Sequence, residues 1–149
     1  MGKSLLLGSV FEASLRVLLL LDQLNGKELD EEQITYIDFL AINSRDFALL
    51  DKNLNGDGPL RLAEFSAKKN LIASAIKDLV VSRLINFNTG SDGFIYSINS
   101  VGRSKVRSFT SDYSKNYRAS IISLIESNPN LDSDKLRAEV YKAPLEKIL

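Results

Sequence analysis

The stretch 64–98 changes its hydrophobic period midway, and this change constrains the fold more than any other feature of the chain. Up to residue 84 the apolar residues recur every three or four positions, which predicts an amphipathic helix with lysines on its polar side. Segments 84–88 and 94–98 have the shorter period of strands, and turn residues fill 89–93 between them. A helix that leads into a β-hairpin is the pattern of a winged helix-turn-helix.

Helix signals also precede this stretch. A first helix, capped by Ser9 or Ser14, is predicted to reach about Leu24 and to end at Asn25-Gly26, because Gly and Asn favour the left-handed residue after a helix. A second helix is predicted to begin at Asp30, which forms a capping box with the residue three positions later, Gln33. The predicted buried face of the first helix consists of Phe11, Leu15, Leu18, Leu19 and Leu24.

Two further helices are predicted after the hairpin. One runs from about 102 to 127 with an apolar stripe and stops at Asn128-Pro129. The other is a short segment from Ser133. The fold class is therefore α+β and mostly helical, a winged helix-turn-helix core of three helices and a hairpin with additional C-terminal helices. We divide it into a winged-helix-like domain, 1–128, and a short helical tail, 129–149.

The composition disfavours a catalytic function. The chain of 149 residues contains neither cysteine nor histidine, so thiolate ligands, the usual zinc sites and the commonest general base are missing. We therefore expect no enzyme activity, no catalytic residues, no cofactor, no metal and no small-molecule substrate. The apolar run 17–21 is too short to cross a membrane, for which about 20 residues are needed, and the N-terminus has no cleavage site after its apolar residues. We expect a cytoplasmic location and no membrane partner.

The charges are separated along the chain although the net charge is zero. Residues 22–57 hold nine acidic residues against three basic ones, whereas 61–118 hold ten basic residues against four acidic ones. Clustered charge steers partners, so both segments are candidate surfaces for a protein or nucleic acid, although ordinary solvated patches also fit this distribution. The candidate interface residues are Arg61, Lys68, Lys69, Lys77, Arg45, Asp38, Asp46, Arg103 and Arg107.

The loop 51–58 resembles the start of a calcium-binding EF-hand loop. It has oxygen ligands at the first, third and fifth positions, Asp51, Asn53 and Asn55, followed by the turn glycine Gly56. Position twelve, which needs a bidentate acid, is Leu62. We interpret the loop as an Asn/Asp/Gly turn between two helices.

Four segments together resemble the small middle component of bacterial ABC-three-component systems. They are Phe11 to Asp22, Tyr36 to Leu40, Asn43 to Phe47 and Arg61 to Ile85, in this order, and the resemblance covers roughly residues 9–125. It implies a non-catalytic subunit of a Lamassu-type antiphage defence complex, which joins an SMC- or Rad50-like ATPase to an effector, often a nuclease. DNA contact would then come through the complex.

A stand-alone winged-helix DNA-binding transcription regulator is the alternative. Arg61, Lys68 and Lys69 lie at the start of the helix that enters the groove in a helix-turn-helix protein. The net charge of zero is unusual for a DNA-binding domain, and the wing contains Asp92 but no lysine or arginine. A winged helix that binds protein fits these two facts better.

Overall fold

The computed structural model describes residues 9–43 and 61–148, with side chains in 9–43 and 65–140. In these ranges the chain is a mostly helical α+β protein, as predicted, with a small antiparallel sheet. The elements are α1 (Val10–Gln23), β1 (Leu29–Asp30), α2 (Glu31–Ile42), α3 (Arg61–Val81), β2 (Ile85–Gly90), β3 (Gly93–Ile98), α4 (Ser100–Val106), α5 (Asp112–Ser127) and α6 (Ser133–Ile148). The calcium-like loop, Arg45 and Asp46 lie outside the described residues.

The predicted bounds of the first helix, with Ser9 as its cap, and the predicted start of the second are confirmed. Ser9 caps α1 by accepting a hydrogen bond from the Glu12 amide at 3.1 Å, and Gly26 adopts a φ of +85° after the helix. At the start of α2, Asp30 accepts from the Gln33 amide at 2.7 Å, while the Gln33 side chain accepts from the Asp30 amide at 3.0 Å. These bonds satisfy amides that the first turn of a helix leaves without a partner.

The predicted hairpin is present and contains a longer ladder than expected. Pairing continues to Gly90 and Gly93, so only two residues form the turn. The strand β1 was not predicted. It pairs antiparallel with β3, and the sheet order is β1-β3-β2. A two-residue strand has no period of its own, and it forms here because β3 provides its hydrogen-bond partners.

The junction between α3 and the hairpin is set by a left-handed residue. Arg83 has a φ of +62°, the Leu84 amide donates to the Leu79 carbonyl at 3.0 Å, and the Arg83 amide donates to the Val80 carbonyl at 3.0 Å. These two bonds form a Schellman motif, which ends the helix and redirects the chain. The hairpin therefore leaves the end of α3 in a defined direction.

The predicted fourth helix is two helices, so its continuous span from 102 to 127 was wrong. Asn99 caps α4 through the Gly102 amide at 2.8 Å, and Ser111 caps α5 through the Ser114 amide at 3.1 Å. The apolar period continues across the break, but the second cap stabilises a new helix start at Ser111. Asn128 ends α5 as predicted.

The core surrounds α1 and α2. The helix α1 packs against α3, α4 and α5, while α2 packs against α3, α5 and α6. Leu136 and Val140 of α6 are fully buried, so this helix closes the core over α2. Phe11 was predicted to be buried but is 64% exposed, since the first turn of α1 enters the core through Ala13 instead. Within the described ranges no helix is both long enough and apolar enough to cross a bilayer.

Candidate functional site

A buried ion pair joins the two central helices. The Arg16 guanidinium on α1 donates from Nε to Asp38 Oδ1 at 2.9 Å and from Nη2 to Asp38 Oδ2 at 3.4 Å. Arg16 is 0% exposed and Asp38 on α2 is 1% exposed. A charge in such a place is tolerated only when it is paired and hydrogen-bonded. The two-point contact meets this condition.

Two further side chains form hydrogen bonds with this ion pair. Tyr117 on α5 is fully buried and donates its hydroxyl to Asp38 Oδ1 at 2.6 Å. Glu12, one turn before Arg16, accepts from Arg16 Nη1 at 3.4 Å. The cluster therefore connects α1, α2 and α5 through one carboxylate.

The environment of this cluster shifts the pKa values of Arg16 and of two tyrosines. Burial disfavours the charged form of Arg16, but the Asp38 carboxylate and the neighbouring tyrosines outweigh this effect, and the pKa of Arg16 is raised. Burial, followed by the nearby Asp38 charge, raises the pKa of Tyr117 well above its usual value. Burial likewise raises the pKa of Tyr113. At neutral pH Arg16 is therefore a cation and both tyrosines are neutral phenols, an arrangement suited to holding helices together.

The proposed surface role of Asp38 must be corrected. We expected an interface residue within an acidic segment, but the structure places its carboxylate in the core, opposite Arg16. The sequence contains a hint that we did not use: Asp38 lies between Ile37 and Phe39, and Arg16 immediately precedes an apolar run. Isolated opposite charges in two apolar helices are a reason to consider a buried pair.

The basic candidates within the described residues lie on, or directly after, two separate helices. Lys69 and Lys77 are exposed on α3, eight residues apart, which is about 12 Å along a helix axis. Lys68 is half-buried. Arg61 is the first residue of α3, and its side chain is not among those that the structure describes. These residues form one candidate group on α3.

The remaining two candidates lie on the short helix α4, which packs against α1. Arg107 caps its C-terminal end and is exposed. Arg103 is half-buried and donates from Nη2 to the Asn25 side chain at the end of α1. Arg103 thus already has a structural partner within the chain.

The hairpin carries a surface feature that sequence reasoning missed. Phe87 on β2 and Phe94 on β3 are 57% and 55% exposed, and their rings meet edge to face with centroids 5.5 Å apart. Both were interpreted only as strand-forming residues. The available signal was their register, because strand alternation places them on the face of Ile85 and Ile98, which are buried. An exposed aromatic pair next to the core is an informative feature of a protein surface.

Fold and surface together define a helical α+β domain whose buried polar groups hold helices together and whose hairpin exposes an aromatic face. The model of the family described as ABC-three component (ABC-3C) system Middle Component 2 matches residues 6–147, and the chain belongs to this family. The match includes α6, which we expected to lie outside the resemblance. Neither the curated proteins nor the solved structures gave a match. As a middle component the chain is part of a multi-component system and has protein partners.

Proposed function

We propose that this chain is a non-catalytic assembly subunit that bridges an SMC- or Rad50-like ATPase and an effector subunit, a nuclease, in a cytoplasmic antiphage defence complex of the Lamassu type. The observation that carries the proposal is the family match over residues 6–147, which makes the chain the middle component of a three-component system. A bridge must contact two partners and needs no chemistry of its own.

The chain's own residues support this role in two ways. It has no cysteine or histidine, and its buried charges, Arg16 and Asp38, neutralise each other inside the helical core. In contrast, two apolar side chains, Phe87 and Phe94, are exposed side by side on the hairpin. Exposed apolar groups bind other proteins when they gather into a patch.

We further propose that the segment from α1 to β3 is a winged helix. Its order, helix, short strand, two helices and two strands, together with the sheet order β1-β3-β2, supports this assignment. In that case α3 is the second helix of the helix-turn-helix unit and β2–β3 is the wing.

Bridging is tested by reconstitution with the two other components of the same system. All three are co-expressed, and the complexes are measured by size-exclusion chromatography with light scattering. We expect one complex that contains all three, and we expect the ATPase and effector to elute separately when this chain is omitted. If the two associate equally well without it, the bridging role is wrong. If this chain binds neither of them, the assembly role itself is wrong.

The alternative, a stand-alone DNA-binding regulator, is favoured by the exposed Lys69 and Lys77 on α3. It requires salt-dependent binding to duplex DNA, and each lysine that contacts a phosphate contributes about one to the slope of log affinity against log salt. Replacing both with glutamine, K69Q and K77Q, should then lower that slope by about two. A flat gel-shift titration of the wild-type chain at low salt would reject this alternative.

A further inference from the structure

The face of the hairpin that continues the core is aromatic or aliphatic at every position except Thr89. Opposite residues of β2 and β3 share a face, and on this face Ile85 pairs with Ile98, Phe87 with Tyr96, and Thr89 with Phe94. Only the first of these pairs is buried in the core. We call the outer part of this face the wing face: it consists of the exposed Phe87 and Phe94, with the half-buried Tyr96 at its inner edge.

The opposite face of the hairpin differs in chemistry. Its paired positions are Asn86 with Ser97, Asn88 with Ile95, and Gly90 with Gly93. This face is mostly polar or small, so the aromatic residues are confined to one side. Strand propensity alone does not require such a separation, because aromatic residues suit either face of a ladder. The wing face therefore has the composition of a contact surface, and its two phenylalanines remain exposed within the described part of the chain.

Acidic groups border the wing face. Asp92 at the turn is the only charged residue between Leu84 and Ile98. At the β1 edge of the sheet, Glu31 follows β1 directly and lies close to Tyr96. The pKa of the Tyr96 hydroxyl is raised mainly by burial and, to a lesser extent, by the Glu31 charge. Glu32 is the next residue and is exposed. A partner that covers the wing face therefore comes near carboxylates as well as aromatic rings.

We propose that the wing face binds a segment of another component of the system, in which an apolar side chain is flanked by lysine or arginine. The apolar side chain would cover Phe87 and Phe94, while the basic groups would meet Asp92 and Glu31. An arginine would also be attracted to the face of an exposed aromatic ring. This inference rests on the proposed assembly function and assigns a surface and a partner chemistry to it.

The same charges disfavour the two other occupants. A second copy of the chain would bring Asp92 and Glu31 of both copies towards one contact, and like charges oppose association. A nucleic-acid backbone would meet carboxylates where a phosphate-binding wing needs lysine or arginine. A basic protein segment matches both the apolar and the acidic character of the face.

The test uses the full chain and each of the two other components, with dissociation constants measured by calorimetry or biolayer interferometry. We expect the double variant F87S/F94S to lose at least about tenfold in affinity for one component, since buried aromatic residues dominate interface energies. The matched control is F11S/V81S, which removes two apolar side chains of similar or greater exposure from other places. We expect it to bind within about twofold of wild type.

Two substitutions at the turn test the charge separately and do not disturb the aromatic pair. D92K should weaken binding at low salt more than D92N, and the difference should disappear at about 1 M salt, where the screening length is about 3 Å. Circular dichroism and melting temperature establish that each variant is folded. If F87S/F94S does not fold, the Asp92 series alone decides the proposal.

The possible results separate this inference from the proposed function. If F87S/F94S binds the other component with the affinity of wild type, or if D92K does not change that affinity, the wing-face inference is overturned. The assembly role then remains intact. Wild-type self-association that F87S/F94S abolishes identifies a second copy as the occupant and also overturns the inference. Failure of the wild-type chain to bind either component overturns both.

Discussion

Arg16 is among the largest fully buried side chains of this protein, and it is the only cation among the buried residues of the described ranges. Removing a guanidinium from water is expensive, and the attraction of a carboxylate offsets that expense only when the geometry is good. Asp38 accepts hydrogen bonds from two nitrogens of Arg16 and from the Tyr117 hydroxyl, so both of its carboxylate oxygens have donors. The pair makes the relative position of α1, α2 and α5 specific.

The first prediction concerns the substitution D38N. It removes the closer of the two carboxylates that pair with the buried Arg16 and leaves only Glu12, at 3.4 Å. We expect the free energy of unfolding to fall by about 3–5 kcal/mol. Urea denaturation followed by circular dichroism measures this change. A protein too unstable to purify would agree with the expectation, and a loss below about 1 kcal/mol would contradict it.

The matched control is D22N, the same chemical change in a different pair. Asp22 accepts from Arg118 at 3.0 Å, and the two side chains are 23% and 25% exposed. Water solvates each partner when the other is neutralised, so we expect a loss of no more than about 1 kcal/mol. Equal losses for D22N and D38N would show that burial does not determine the strength of these pairs.

The second prediction concerns alkaline pH. The pKa of Tyr117 is raised above its unfolded value near 10, so above this pH the unfolded chain has fewer bound protons than the folded one. The contribution of the neutral Tyr117 to the free energy of unfolding is complete below pH 10, and it is lost as the pH rises further. Each such tyrosine contributes a slope of up to about 1.4 kcal/mol per pH unit.

The double variant Y113F/Y117F tests this expectation, because the pKa of Tyr113 is raised as well. Its free energy of unfolding should be lower at pH 8, where the Tyr117 hydrogen bond is missing, and should fall less steeply above pH 10. Urea titrations at several pH values from 8 to 11.5 measure both effects. Parallel wild-type and variant curves above pH 10 would contradict the assignment.

At the scale of the elements, the direction of the hairpin depends on a close approach between α4 and the end of α3. A side-chain carbon added to Gly102 would overlap the Leu84 carbonyl oxygen and would lie 2.9 Å from Ile98 Cγ1. The Asn99 side chain also donates to the Arg83 carbonyl at 2.8 Å, which holds the start of α4 against the same segment. Gly102 therefore allows α4 to pack where the hairpin leaves the body of the protein.

The third prediction is that G102A destabilises the protein. Alanine favours a helix over glycine by about 1 kcal/mol, but overpacking against a backbone atom costs typically 1–3 kcal/mol or more. Because the Leu84 carbonyl cannot rotate away as a flexible side chain would, we expect a net loss of about 1–2 kcal/mol. Thermal and urea unfolding measure it.

The control is S104A, two residues further along the same helix and exposed. It has only the propensity effect, so we expect a change within about 0.5 kcal/mol. A G102A variant that is more stable than wild type would contradict the prediction. It would mean that α4 can move away from Leu84 without loss of stability.

At the scale of the whole molecule, α6 decides whether the C-terminal segment acts as part of the domain. Leu136 and Val140 are fully buried, and the Gln33 side chain on α2 donates to the Leu131 carbonyl before α6 at 3.0 Å. A buried apolar stripe and a hydrogen bond to α2 connect this helix to the central layer. The family match also includes it.

The fourth prediction is that L136A lowers the stability of the whole domain. Truncation of a buried leucine costs about 2–5 kcal/mol, and because α6 covers α2, the main unfolding transition should shift as a unit. The exposed control E139A should shift it by less than about 0.5 kcal/mol. A separate low-temperature transition for α6, with the main transition unchanged, would contradict the expectation.

The sequence by itself determined a first helix capped by Ser9 or Ser14, the second helix start at Asp30, the glycine turn at Gly26, the hairpin and the mostly helical class. Each of these depends on residues within a few positions of one another. Its motif order also pointed to the middle-component family, which the match over residues 6–147 establishes. The roles of the basic candidates remain predictions.

Only the tertiary structure decided the features that depend on residues far apart in the chain. Asp38 is separated by 22 positions from Arg16 and by 79 from Tyr117, and no local period indicates that they meet. The strand β1 exists only because β3 lies beside it, and the exposure of Phe87 and Phe94 depends on how far the hairpin extends past the core. Local chemistry defines helix ends and turns, whereas burial and pairing depend on which distant segments the folded core brings together.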